Sequence, residues 1–341
     1  MSKIEWTEQT WNPTTGCDRI SPGCDNCYAL TMAKRLKGMG SAKYQNDGDP
    51  RTSGPGFGVA MHEDTLTDPL RWSKPRRVFV NSMSDLFHAK VTDDFIARVF
   101  AVMSLTPQHT YQLLTKRHAR MRSLLNSAHF RTKCEEAEAE LVSDPVTPGL
   151  PRYKREQYAT QRWSNFAKPL PNVWLGVSVE NQKWADLRIP ALLDTPAAVR
   201  FLSCEPLIGP VDLFAEDHSA HERDFDGKDD YICLDCSTGD HHVPWRVIDR
   251  GNLGIDWVII GGESGPGARP FQPQWATDLI EDARAAGAAP FVKQLGTVWA
   301  RDTYWGGKSV AAHGDTKGGD PAYWPTELRV REYPQAQRAA A

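Results

Sequence analysis

Six times along the chain a short apolar run ends abruptly in polar residues. Val78-Phe79-Val80 runs into Asn81-Ser82-Met83-Ser84-Asp85, Tyr111-Gln112-Leu113-Leu114 into Thr115-Lys116-Arg117, and Val173-Trp174-Leu175-Gly176-Val177 into Ser178-Val179-Glu180-Asn181. Val199-Arg200-Phe201-Leu202 runs into Ser203-Cys204-Glu205-Pro206, Trp257-Val258-Ile259-Ile260 into Gly261-Gly262-Glu263-Ser264, and Phe291-Val292 into Lys293-Gln294. Val59-Ala60-Met61-His62 is a weaker seventh run. Continuous apolar runs of this length suit strands buried on both faces, hence a parallel sheet. Helical spacing falls between several of them: Asp93 to Met103 with Thr92 as N-cap, Gln182 to Leu193, and Gln274 to Ala286. Alternating strand and helix predicts an α/β fold. Polar groups at the C-terminal end of every strand favour a (β/α) barrel over an open doubly wound sheet, here a partial TIM-type barrel of about six to seven parallel strands.

Two segments interrupt this rhythm. Residues 128–170 are charged and carry Pro145, Pro148 and Pro151, which suggests an inserted helical or loop excursion. Residues 215–250 form a second insertion with ten acidic and four basic residues. The barrel is expected to span residues 1–296 and a C-terminal extension residues 297–341, with Glu332 to Ala341 as a frayed tail. A net charge of −3 gives no global basic field, so binding of nucleic acid would need a local patch. No apolar run approaches the roughly 20 residues of a membrane span. The polar start reads as no signal peptide, and the protein is expected to be cytoplasmic and not membrane-bound. Seven cysteines in such a chain argue for metal or reactive thiols rather than disulfides.

Three of those cysteines share one short loop: Gly16-Cys17, six residues, then Cys24-Asp25-Asn26-Cys27-Tyr28. Three thiolates can converge on one metal centre. A structural zinc wants a fourth ligand, which His62 or His88 would supply; an iron–sulfur cluster on three cysteines keeps one iron free; unligated buried cysteine is the third alternative. Cys233 and Cys236, with His218, His221, His241 and His242 nearby, offer a separate zinc-type set in the acidic insertion.

The strand ends supply the other candidates. Asn81, Ser82 and Asp85, or else simple helix capping by Ser84 or Asp85, follow the first run. Ser178, Glu180 and Lys116 sit at comparable positions. Gly261-Gly262-Glu263 is a glycine-rich turn that lets backbone approach a ligand, or a plain tight turn. Cys204 offers a reachable S–H bond and Glu205 a carboxylate for substrate, although a buried cysteine is the commoner case. Lys116 to Lys133 holds six Lys or Arg and no acid, and with Lys74, Arg76 and Arg77 it can track phosphates or be a solvated face.

A three-cysteine loop opening an α/β barrel resembles the radical S-adenosylmethionine superfamily. The chain is more closely similar to a phage- and prophage-associated group of uncharacterised proteins. The shared words are Trp11-Asn12-Pro13, Gly16-Cys17, Gly23-Cys24-Asp25-Asn26-Cys27-Tyr28, Phe79 to His88, Leu114-Thr115-Lys116-Arg117, Ser203-Cys204-Glu205-Pro206-Leu207 and Gly261-Gly262-Glu263-Ser264-Gly265. The commonest superfamily loop has three residues between its first two cysteines, whereas this one has six. The resemblance implies a 4Fe-4S cluster on Cys17, Cys24 and Cys27, with S-adenosyl-L-methionine (S-adenosylmethionine) on the remaining iron. The superfamily often carries a Gly-Gly-Glu at an early strand, whereas Gly261-Gly262-Glu263 comes late, so that role is not carried over; from their places at the strand ends, Asn81, Ser82, Asp85, Lys116, Ser178, Glu180, Gly261, Gly262 and Glu263 are the candidates to contact that cofactor, and Cys204 and Glu205 the candidates for catalysis. The expected function is reductive cleavage of S-adenosylmethionine to start radical modification or repair of a nucleic-acid base or nucleotide. Its expected partners are DNA or RNA and an electron donor protein. The alternative is a zinc-stabilised nucleic-acid-binding protein without redox activity.

Overall fold

The computed structural model describes residues 4–150, 152–153, 155–156, 166, 168–214 and 253–334. Seven parallel strands form its main sheet: β1 (Gln9–Trp11), β2 (Arg77–Val80), β3 (Thr110–Thr115), β4 (Val173–Ser178), β5 (Val199–Cys204), β6 (Trp257–Gly261) and β7 (Ala289–Gln294). Their order in space is their order in the chain. The strand order never reverses, so the sheet is singly wound. It curls into a half-barrel with helices outside, the expected partial (β/α) barrel.

The strands read as unbroken apolar runs because both faces are covered. Outward residues such as Val78, Val80, Leu113, Leu175, Val177, Leu202, Val258, Ile260 and Val292 join the helices in one large core. Those helices include α2 (Asp93–Ser104), α3 (His118–Leu125), α4 (Ala128–Ser143), α5 (Gln182–Leu193) and α6 (Pro273–Ala285), whereas α1 (Tyr28–Gly38) packs Ala29 and Ala33 in a separate small cluster with Tyr44, Phe57 and Met83. Thr92 Oγ1 accepts from Phe95 N at 3.3 Å, the expected N-cap of α2. Inward residues Phe79, Trp174, Phe201, Trp257, Ile259 and Phe291 form a second core together with Trp6.

The structure corrects three details of the sequence reading: the first strand, the weak run and the tail. β1 is a missed strand, three residues long and without an apolar run; it pairs with β2 through Thr10 and Phe79. The weak run at Ala60–Met61 is no barrel strand but pairs antiparallel with Thr14–Thr15. The charged stretch from Ala128, for which helix or loop was expected, begins as the helix α4, which packs Phe130, Cys134, Ala137 and Leu141 into the helical core. The tail is not frayed at its start. Arg331 bridges antiparallel to Phe291, and the Tyr333 ring stacks on Trp257 at 5.4 Å. Arg77 lies over that Tyr333 ring at 4.5 Å. Cys233, Cys236 and the four histidines of the acidic insertion lie outside the described residues. Among the described residues no helix is long and apolar enough to cross a membrane.

Candidate functional site

The cysteine loop lies across the C-terminal ends of the strands. Pro22–Cys24 forms one 3-10 turn, and Cys27 is the N-cap residue of α1. Cys17, Cys24 and Cys27 all line one cavity of about 680 Å³, together with Asn81, Thr115, Ser178, Ser203 and Gly262 from five strand ends. A volume of that size lies in the range of small-molecule and cofactor sites.

Two buried carboxylates fasten the loop to the barrel. Glu180, at the end of β4 and fully buried, accepts from Ser21 Oγ at 2.6 Å and Arg188 Nη1 at 2.8 Å, and pairs with Lys116 Nζ. Gly23 lies directly against it: a Cβ there would overlap the Glu180 side chain. Burial opposes ionisation of Glu180, but Lys116 and Arg188 hold its carboxyl below the usual range. Glu263, after β6, makes a bidentate pair with Arg269 at 2.9 and 2.6 Å and accepts from Asn26 Nδ2 at 3.0 Å. Arg269 Nη2 also donates to Pro22 O at 2.9 Å. Again burial raises and Arg269 lowers, and the net direction is down. A third tether is Asp18, which accepts from Thr52 at 2.6 Å, Ser53 at 2.9 Å and His88 Nε2 at 2.9 Å. These bonds outweigh its burial and hold it down to about 2.

Each cysteine has a cation as its electrostatic neighbour. Arg117 Nη1 donates to Cys17 Sγ at 3.2 Å, Arg188 interacts with Cys24, and Lys116 with Cys27. Asp85 pairs with Arg117 and Glu180 with the other two, so three cations face two carboxylates. Burial, reinforced by Asp85, pushes the metal-free Cys17 thiol up to about 12 despite Arg117. Burial also raises Cys27. Neither thiol ionises at neutral pH unless a metal draws the proton off.

The predicted residues fall into distinct groups. Asn81 is buried at the cavity wall in a left-handed conformation (φ 61°). Its Oδ1 accepts from Thr14 N at 3.3 Å, and among the described residues its Nδ2 has no partner. Ser82 Oγ donates to Asn12 Oδ1 at 3.2 Å, and its carbonyl accepts from the Tyr28 hydroxyl. Asp85 is saturated by Thr115 Oγ1 at 2.7 Å, Phe87 N and Lys116 N at 3.0 Å and Arg117 at 3.1 Å. It therefore holds protein rather than offering an oxygen to a ligand. Glu180, Lys116 and Glu263 are likewise engaged as loop anchors. Ser178 lines the cavity while its carbonyl accepts from Arg188 Nη1. Gly262 is close to chain, since a Cβ would overlap Leu295 O, and a Cβ at Gly261 would stand 3.2 Å from Glu205 Cγ.

Cys204 does not reach the site. It is fully buried in the outer, helix-facing core, because alternate strand residues face opposite ways and its neighbours Ser203 and Glu205 take the cavity side. Glu205 pairs with Lys293 Nζ at 2.6 Å, and both line the cavity. The basic run is not a free phosphate track. Beyond Lys116 and Arg117, Arg120 pairs with Asp93, Arg122 with Asp194 and Lys133 with Asp94. Arg77 of the preceding run pairs with Glu8. Neither histidine weighed as a zinc ligand lines the cysteine cavity. His62 Nε2 bonds Thr15 Oγ1 at 2.7 Å; His88 uses Nε2 on Asp18 and Nδ1 on Lys90 N. Among the described residues no three His, Cys, Asp or Glu side chains are grouped to hold a single metal ion.

Sequence reasoning missed Lys293, Arg188 and Arg269 as site residues. Lys293 carried a legible signal as the inward residue at a strand end. Arg188 lay hidden inside α5, where a charge usually faces water.

No curated protein and no solved structure matches the chain. One family model spans residues 1–325, nearly the whole length, and the chain belongs to the family described as Protein of unknown function (DUF5131).

Proposed function

We propose that the chain is an iron–sulfur enzyme of radical S-adenosylmethionine type, related to the phage-associated group it resembles. The observation that carries this reading is the meeting of Cys17, Cys24 and Cys27 on one cavity at the C-terminal mouth of a half-barrel. The donor set fits the group. A single zinc at 2.3 Å from each sulfur needs its ligands about 4 Å apart and a fourth donor; a cluster spreads three thiolates over three irons and leaves one iron open.

In this reading Cys17, Cys24 and Cys27 hold the cluster, and Asn81 Nδ2 and Ser178 at the cavity wall are the polar groups left for S-adenosylmethionine. When bound, the pair supplies one-electron cleavage of the sulfonium C–S bond, the electron coming from a donor protein. Glu180, Glu263 and Asp18 keep the loop fixed, while Phe57, Leu30 and Phe79 give the cavity apolar walls that exclude water. Glu205 and Lys293 are the polar pair left to orient substrate. The substrate is a nucleic-acid base or nucleotide. Because Lys116, Arg117, Arg120, Arg122 and Lys133 of the basic run are paired with carboxylates within the fold, a single base or nucleotide in the cavity suits the site better than a long polyanion.

Anaerobic reconstitution tests this. About four irons and four sulfides per chain are expected, lost in Cys17→Ala, Cys24→Ala or Cys27→Ala and kept in Cys134→Ala. Dithionite and S-adenosylmethionine should then yield 5′-deoxyadenosine. Stoichiometric zinc without sulfide would instead favour the zinc-stabilised binding protein.

A further inference from the structure

We propose that Arg117 is a positioning residue that raises the reduction potential of the cluster through the Cys17 sulfur; this rests on the cluster reading above. Its Nη1 lies 3.2 Å from Cys17 Sγ, a charge-assisted N–H···S contact in a largely buried setting. The same guanidinium reaches Asp85 Oδ2 at 3.1 Å, and its Nη2 donates to Asp18 O at 3.1 Å. It thus clamps both the cysteine loop and the loop after β2. Asp85 cannot swing away, because Thr115 Oγ1, Phe87 N and Lys116 N hold it at 2.7 to 3.0 Å. The planar fork explains why arginine stands here: a lysine ammonium would carry the charge without reaching three acceptors in fixed directions.

Adding one electron makes the cluster more negative. A cationic donor on a ligand sulfur favours that state, and hydrogen bonds to sulfur are a recognised control of cluster potential. Lys116 and Arg188 act on the other two cysteines only through space, and Glu180 neutralises one of their two charges. Among the described residues Arg117 is therefore the cation with direct contact to a cluster ligand, and Asp85, fixed beside it, acts on Cys17 in the opposite sense.

The experiment is a redox titration of the anaerobically reconstituted full chain, read by electron paramagnetic resonance, for wild type, Arg117→Met and Arg117→Lys. Iron and sulfide content is determined on each sample. Arg117→Met should keep its four irons and lose about tenfold in the reduction equilibrium, a fall of about 59 mV for one electron. Arg117→Lys should fall between the two. A wild-type potential in a fully loaded Arg117→Met overturns this inference and leaves the cluster reading standing. Loss of the cluster from both variants, with the fold intact by circular dichroism, also overturns it, since Arg117 would then serve assembly rather than potential. A wild-type chain that takes up no iron overturns the cluster reading and this inference together.

Discussion

The two ends of the barrel interior use the same strands for opposite purposes. At the bottom, β4, β5, β6 and β7 turn Trp174, Phe201, Trp257 and Phe291 inward, and Trp6 and Tyr333 complete an aromatic plug. Toward the top, the same inward faces carry Gly176 and Ser178, Ser203, Gly261 and Lys293. Side-chain volume falls along each strand, so the plug gives way to a cavity. The polar groups at that top are divided again: some are consumed in holding the cysteine loop, and a few remain to meet a ligand. The bottom should therefore govern global stability and the top local order and chemistry.

The largest effect should come from the plug. Trp257 contacts Trp6, Trp174, Phe201 and Phe291 with ring centroids 5.8 to 6.0 Å apart, mostly edge-on. Trp257→Ala should cost about 3–5 kcal/mol, read from the urea midpoint. A loss under about 1 kcal/mol would mean the plug is not the lower core. Glu180→Ala should cost a comparable or smaller amount, about 3–5 kcal/mol at the upper end, because it strands Lys116 and Arg188 in a buried place. The two variants part company in hydrogen exchange. Trp257→Ala should speed exchange throughout the sheet, whereas Glu180→Ala should speed it first in residues 17–27. Identical maps would erase the distinction between the two ends.

Acid should separate the ends without mutation. Asp18, Glu180 and Glu263 all have carboxyls depressed below their unfolded values. Their stabilisation is present above about pH 4 and is lost as pH falls through the folded values, for Asp18 about 2. Between pH 4 and 2, exchange in residues 17–27 should rise before tryptophan fluorescence of the plug changes. Simultaneous loss would show that loop and barrel melt as one unit.

Much of this division was legible in the chain. The buried strands announced themselves as apolar runs because both of their faces are covered, and the polar residues at their ends marked the mouth. β1 was not legible: Gln9, Thr10 and Trp11 gain strand character only from pairing with β2. The cysteine loop could be read, but its support could not, since Glu180 and Glu263 look identical in sequence whether they face a cofactor or a buried arginine. Cys204 misled for a related reason. A strand end has two faces, and without the register Ser203 and Cys204 are equally good candidates for the cavity. The basic run misled because its partners Asp85, Asp93, Asp94, Glu180 and Asp194 lie far away in the chain and reach it only through the fold.

The smallest stability effect is expected at Glu205 and Lys293, and it sharpens the comparison most. The pair is close, at 2.6 Å, but the two side chains keep 18% and 17% of their surface and face the cavity. Its partners are few: Glu205 Oε1 takes one further contact, from Gln294 Nε2 at 3.4 Å. Glu180 by contrast has three partners and no exposed surface. An ion pair reached by water typically contributes about 0–1 kcal/mol. Glu205→Gln and Lys293→Met should each shift unfolding by no more than that, and a double-mutant cycle should give a coupling of similar size. If the proposed function holds, the same two variants should keep the cluster and lose substrate turnover, because the groups they remove contribute little to stability and face the cavity. A coupling above about 2 kcal/mol would instead class Glu205 and Lys293 with the loop anchors, and recognition in the cavity would then fall to other lining groups such as Asn81, Ser178 and Ser203.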